Sequence, residues 1–435
     1  MGNIIESTTV SKVVDPDEAV PDVATDPSVP SVPSAKCEKV DVQRLSFAEL
    51  VDRVSSNKDL IDEFGLEFCR LSHQSIKIYG RRCVEGSFLF THKAKPGCME
   101  IYERDLCFKM LQNFGCFITK IVIDFEGLKS VDKFNQYIQN EVNDFCAKSL
   151  IELELHNCRQ ASFDELTHPF PDVQRVCFKN CHLECTADDL KRLFPVVNRL
   201  EVLGCTMAYT GCIEQSFVNL QHLSVQLTKG GLSKETILAA LCFNQQLSSL
   251  HLVAHVDSTL LHSISQVTPL LQCLHLHILS YNFNDGKQTH FGNVEKLMIT
   301  LDGGPFINLP IWFDHLTELE VTVNDGLHER FSEFISRNEK LIKLTIVAPS
   351  WNQIELYDNG MAILAEKLTY LTDFTLQRCT ISLVAAVNFM RKAKMLRDFR
   401  FSVTNKLESK QLLLLQIENT WKLTNDKNLY QCERR

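Results

Sequence analysis

Between Cys177 and Cys185 the chain gathers Cys177, Cys181, His182 and Cys185, residue types that hold zinc through thiolate and imidazole. Their spacing argues against that use, because cysteines separated by three residues match none of the usual zinc ligand pairs. Other reaction signatures fail too. Lys229-Gly230-Gly231 lacks the spacing of a phosphate-binding loop, and no G-x-S-x-G, H-E-x-x-H or dinucleotide fingerprint occurs. No catalytic, metal-ligating or cofactor-binding residues are expected, and the chain reads as a non-enzyme. The residues left with chemical potential are a set of histidines and charges, whose use depends on what holds them in place.

What holds them is a recurring phrase. Ser149–Cys158 reads SLIELELHNC, an L-x-x-L-x-L frame with Leu150, Leu153 and Leu155 at its apolar positions and Cys158 at its ninth. The frame recurs from Ile118, Leu150, Val173, Val197, Leu220, Leu247, Leu271, Val294, Leu316, Leu341, Leu371 and Leu396, twelve times at separations of 22 to 32 residues. Such a period signals a repeat array in which each unit buries its apolar face only against its neighbours. In each frame the fourth and sixth residues face one side of a short strand and the third, fifth and seventh face the other. Helix-compatible stretches lie between frames: Lys234–Cys242, His328–Arg337, Met361–Leu368 and Leu383–Ala393. Strands joined by such crossovers run parallel. The expected fold is an α/β leucine-rich-repeat solenoid over residues 100–425, strand alternating with helix throughout, strands on the concave face and helices on the convex one. ITKIVI, around Ile118, Ile121 and Ile123, is its expected first strand, and Lys410–Leu423 its capping helix. A polar tail follows at 426–435.

The outward strand positions are then the surface on which function is written. They carry Glu152, Glu154, His156, Arg175, Lys179, Arg199 and Glu201 early in the array, His222, His251, His275 and His277 in the middle, and Lys343, Asp373, Asp398 and Arg400 at the end. Mixed signs of charge suit recognition of a protein partner. His251 and His275 share a position in successive frames, which places them roughly 5 Å apart on parallel strands. Two uses follow for the histidines: a polar ligand surface, or a contact that changes as imidazoles charge between pH 5 and 8. The ninth-position cysteines Cys158, Cys181, Cys205 and Cys379 read as small buried residues of the turn after each strand.

Composition narrows the partner. A net charge of -9 disfavours nucleic acid and anionic membranes, and the longest apolar runs are too short to span a bilayer. An odd count of 17 cysteines with no apolar leader near the start points to reduced thiols and a cytoplasmic or nuclear protein. Residues 1–42, with Pro16, Pro21, Pro27, Pro30 and Pro33 among Asp and Ser, form an acidic tail that cannot bury a face. Residues 43–90 carry helical periodicity, through Phe47, Leu50 and Val54 and then Leu60, Phe64, Phe68 and Leu71, to about Tyr79.

Twelve frames, four of them with cysteine at the ninth position, resemble the cysteine-containing leucine-rich repeats of F-box proteins, over roughly residues 110–425. The resemblance implies an F-box ahead of the array that docks on the Skp-type adaptor of a cullin-RING ubiquitin ligase, with the repeats selecting the substrate. On that pattern Phe47, Glu49, Leu50, Lys58 and Leu60 would contact the adaptor. Glu49-Leu50 stands where the family has D-L, Lys58 at its basic site and Leu60 at its aromatic one, while Ser56-Asn57 replaces V-C. The module is therefore either a divergent F-box or a helical cap on the first repeat, and the protein either a ligase substrate receptor or a non-catalytic scaffold.

Overall fold

The computed structural model describes the strands Ser75–Tyr79 and Cys98–Ile101 and most of residues 109–434. The tail at 1–42, the helical reading of 43–74 and with it Phe47, Glu49, Leu50, Lys58 and Leu60 lie outside the described residues, as does 404–420.

The described residues form a mixed α/β structure on one 17-stranded, mostly parallel sheet. All twelve frames become strands: Lys120–Asp124, Glu152–His156, Arg175–Lys179, Arg199–Leu203, His222–Gln226, Ser249–Asp257, Cys273–Asn282, Lys296–Leu301, Glu318–Thr322, Lys343–Val347, Asp373–Ile381 and Asp398–Val403. They pair side by side in that order, every pair parallel. The register is the frame itself. Ile121, Leu153, Val176, Leu200, Leu223, Leu250, Leu274, Leu297, Leu319, Leu344, Phe374 and Phe399 are successive partners, and each is buried. The apolar column is closed from outside by helix side chains, Phe389 packing 5.0 Å from Phe374 and 5.4 Å from Phe399 between ring centres.

The turn leaving each strand explains the cysteines. At the frame's eighth position the backbone enters the left-handed region, at Asn157, Asn180, Gly204 and Arg378. Asn and Gly tolerate that conformation best. The next residue then turns inward: Cys181 Sγ lies 3.2 Å from the Leu155 carbonyl and Cys205 Sγ 3.4 Å from that of Phe178, each one strand back. The asparagines form their own ladder, Asn180 Nδ2 donating to Asn157 Oδ1 and Asn157 Nδ2 to Asp124 Oδ1.

Helices do not alternate with strands throughout, contrary to the expectation from periodicity. Ala187–Leu193, Lys234–Phe243, Ser258–Val267, Glu329–Ser336, Asp358–Lys367 and Leu383–Lys392 are helices. The connections leaving the frames at Leu150, Val197, Leu271 and Val294 hold none among their described residues. Those are the frames followed by the next at only 22 or 23 residues, too few for strand, turns and two turns of helix. They use short parallel strands instead, Ala161–Ser162 and Thr206–Met207 flanking His182–Glu184, and Thr289–Phe291 beside Ile311–Phe313. Four of these helices have side-chain N-caps, Thr186, in a full capping box with Asp189, and Ser233, Asp257 and Ser382, while Asp358–Lys367 starts after Tyr357 without one.

Both ends differ from expectation. Lys120–Asp124 is not the first strand: Ser75–Tyr79 pairs with it and Cys98–Ile101 pairs with Ser75–Tyr79, putting Ile76 and Met99 in the row of Ile121. Ser75–Tyr79 lies at the end of the stretch with helical periodicity, but Ile76 and Ile78 alternate with Lys77 in the period of a strand. At the other end, Trp421–Asp426 and Leu429–Arg434 form an antiparallel hairpin, and the latter pairs antiparallel with Asp398–Val403. This corrects both the capping helix, for Trp421–Leu423, and the polar tail: Tyr430 and Cys432 alternate into the core and are buried.

Candidate partner-recognition face

The common register sorts every outward residue into three rows. The third-position row runs Lys120, Glu152, Arg175, Arg199, His222, Ser249, Cys273, Lys296, Glu318, Lys343, Asp373 and Asp398. The fifth-position row holds Glu154, Cys177, Glu201, Ser224, His251, His275, Met298, Glu320, Thr345, Thr375 and Arg400. His156, Lys179, Val253, His277 and Thr300 stand in the seventh. All fifteen residues assigned to this face from the sequence fall in these rows.

The early charges are spent on one another. Lys120 Nζ reaches Glu152 at 2.7 Å and Glu154 at 3.0 Å, Arg175 reaches the same two carboxylates at 3.1 Å each, and Glu201 Oε1 takes Arg175 Nε at 2.9 Å and Arg199 Nε at 2.7 Å. Six charges thereby balance within one patch. The close approach of His156, opposed by burial and reinforced by Lys120 and Arg175, holds the Glu154 carboxyl down at about 2. At the far end Arg400 closes on Asp398 at 2.7 Å. Lys179 and Lys343 stand exposed.

From His222 to His277 the three rows carry no Asp, Glu, Lys or Arg. The His251 and His275 rings stack in parallel, 4.0 Å between centres and 6° between planes. Burial, then the neighbouring His251 and His277, push the His275 imidazole down to about 4. Burial also lowers His251, with His277 and Arg199 acting the same way and Glu201 opposing, and His222 is lowered by burial and by Arg199. Burial and the neighbouring imidazoles thus favour the neutral form of the His275 ring, which lies flat against His251. His277 Nε2 lies 2.5 Å from Asp302 Oδ1, and His275 Nε2 lies 3.4 Å from Thr300 Oγ1.

Of the zinc-like set, Cys181 is committed to backbone carbonyls and His182 Nδ1 meets Thr206 Oγ1 at 2.8 Å. Cys177 stays apart from them in the fifth row, buried beside Glu154. That juxtaposition was missed from the sequence, although two outward residues of one frame and the fifth residue of the next carry it.

No protein-family model matches the chain, and no curated protein matches its sequence. Among the described residues no helix is long and apolar enough to cross a membrane.

Proposed function

We propose that the chain is a leucine-rich-repeat solenoid of the F-box type, which recognises another protein on the open face of its sheet and presents it for ubiquitination. The observation carrying this reading is the single register of twelve strands. It turns three outward rows into a continuous ladder of unlike side chains, charged and largely paired in the early frames, without formal charge from His222 to His277, and charged again from Lys296 onward. Such a surface suits a partner that lies across many strands, with the central His222, His251, His275 and His277 region free of the cost of stripping water from charges. The N-terminal module would dock the Skp-type adaptor and cullin through Phe47, Glu49, Leu50, Lys58 and Leu60. Thiols committed to backbone carbonyls fit a reducing compartment, the cytoplasm or nucleus.

Affinity purification tests the ligase connection. Full-length protein should recover adaptor and cullin, and the variant Leu50→Asp with Leu60→Asp should lose both while keeping the substrate partner. These substitutions leave intact Ser75–Tyr79, which belongs to the sheet. Absence of adaptor and cullin from both preparations would favour the non-catalytic scaffold. That second reading draws on the proline-rich residues before Phe47, where the opening helix of an F-box would fall in the register that places Lys58 and Leu60.

A further inference from the structure

Glu154 and His156 leave one strand two residues apart, so both project from the open face, and Cys177 is the register partner of Glu154 on the next strand. A carboxylate oxygen, an imidazole nitrogen and the Cys177 sulfur all lie within 4.8 Å of one another, the one such grouping of three among the described residues. Glu154 Oε2 and His156 Nε2 stand 3.2 Å apart. The approach is not aligned as a hydrogen bond, and that buried nitrogen has no other partner among the described residues.

We propose that Glu154, His156 and Cys177 form a binding site for a thiophilic divalent cation, zinc foremost, with a fourth position open to water or to a side chain of the bound partner. Tetrahedral zinc holds oxygen and nitrogen at about 2.0–2.2 Å and sulfur at about 2.3 Å, which separates neighbouring donor atoms by roughly 3.3–3.6 Å. The Glu154 and His156 atoms are already near that separation, and side-chain rotation of about 1 Å brings in Cys177. Thiolate and imidazole select zinc over magnesium or calcium.

The neighbouring cations leave room for this ion. Lys120 and Arg175 both bind Oε1 of Glu154, so Oε2 faces the site. Their charges, with that of Arg199, are matched by Glu152, Glu154 and Glu201, and binding replaces the Cys177 thiol proton, released to solvent, with a thiolate that offsets part of the ion's charge. Without a cation, burial and the carboxylates of Glu201 and Glu154 push that thiol up to about 12, which keeps it protonated. The site shares only Cys177 with the cluster that first suggested zinc, and it does not depend on the ubiquitin-ligase reading.

The test is titration of full-length, chelator-treated and reduced protein with Co²⁺ and then Zn²⁺. One equivalent of Co²⁺ should give a thiolate-to-cobalt charge-transfer band that Zn²⁺ abolishes. Cys177→Ser should remove the band, and His156→Gln should weaken cobalt affinity at least about tenfold. Cys116→Ser and Cys242→Ser, at exposed thiols, should change neither. Absence of the band from the wild-type protein would overturn the proposal, as would a band and affinity unaltered by both Cys177→Ser and His156→Gln. Should Cys177→Ser fail to fold, judged by circular dichroism, Glu154→Gln with His156→Gln decides by the same affinity criterion.

Discussion

Replacing His275 with glutamine should flatten the acid side of the stability profile. The unfolded imidazole titrates near 6.5 and the folded one near 4, so the unfolded chain binds more protons between these values. A depressed imidazole contributes stability that is complete above about pH 6.5 and declines as pH falls towards 4. Linkage gives about 2 kcal/mol lost by pH 5, and solvent screening of a half-buried ring reduces this to about 1 kcal/mol. The groups facing the ring are His251 on the preceding strand, His277 on its own and Thr300 on the next, with Glu201 and Arg199 acting on His251 from further along the row. His251 owes its own depression first to burial, so it persists in the variant and the comparison isolates His275. Urea denaturation at pH 7.5 and pH 5 measures the effect. The wild-type protein should lose about 1 kcal/mol more than His275→Gln between the two values. An equal loss, or a larger one in the variant, would refute the neutral stack.

Leu250→Ala should cost about 3 kcal/mol, because the side chain is fully buried between Leu223 and Leu274, whereas Ser249→Ala one residue away should change stability by less than about 0.5 kcal/mol; chemical denaturation of both compares the two faces. Gly204→Ala should destabilise by about 1–2 kcal/mol, since its φ is +65° and the new carbon would meet Asn180 Oδ1, while Gly230→Ala meets open space and should cost about 1 kcal/mol from strain alone, read as the difference in denaturation midpoint. Ending the chain after residue 420 removes the antiparallel hairpin, and should expose Phe401 and raise dye binding to apolar surface at 37 °C.

The parallel strands were legible because leucines at alternate positions, renewed every two dozen residues, have no other arrangement in which all are buried. The outward rows followed from the same alternation, so their membership could be read in advance. Which members remain available to a partner could not, since that depends on cross-strand distances: Arg175 looks like a free guanidinium in its frame and becomes the hub of three carboxylates only once strands on both sides are placed. Helix content failed where spacing was ignored. Frames only 22 or 23 residues apart lack the room for a helix even where apolar periodicity would suit one. The terminal strands escaped because SIKIY and LYQCER are single alternations with no repeat to support them, and short apolar runs fit helix and strand alike.

The reversed hairpin at the end of the sheet bears on how copies of this chain meet one another. A stack of parallel strands with an open last edge is a template on which a second molecule could continue the frame, strand upon strand, into a polymer. Here the outermost described strand at that end, Trp421–Asp426, is antiparallel to its one neighbour Leu429–Arg434 and so runs in the direction of the frames again, with Lys422 and Thr424 exposed along it. Leu423 keeps to the apolar row of Phe399 through Cys432, so the obstacle an incoming frame strand would meet on this edge is the Lys422 ammonium. A charge on the edge strand thus discourages the frames that assemble within one molecule from assembling between two.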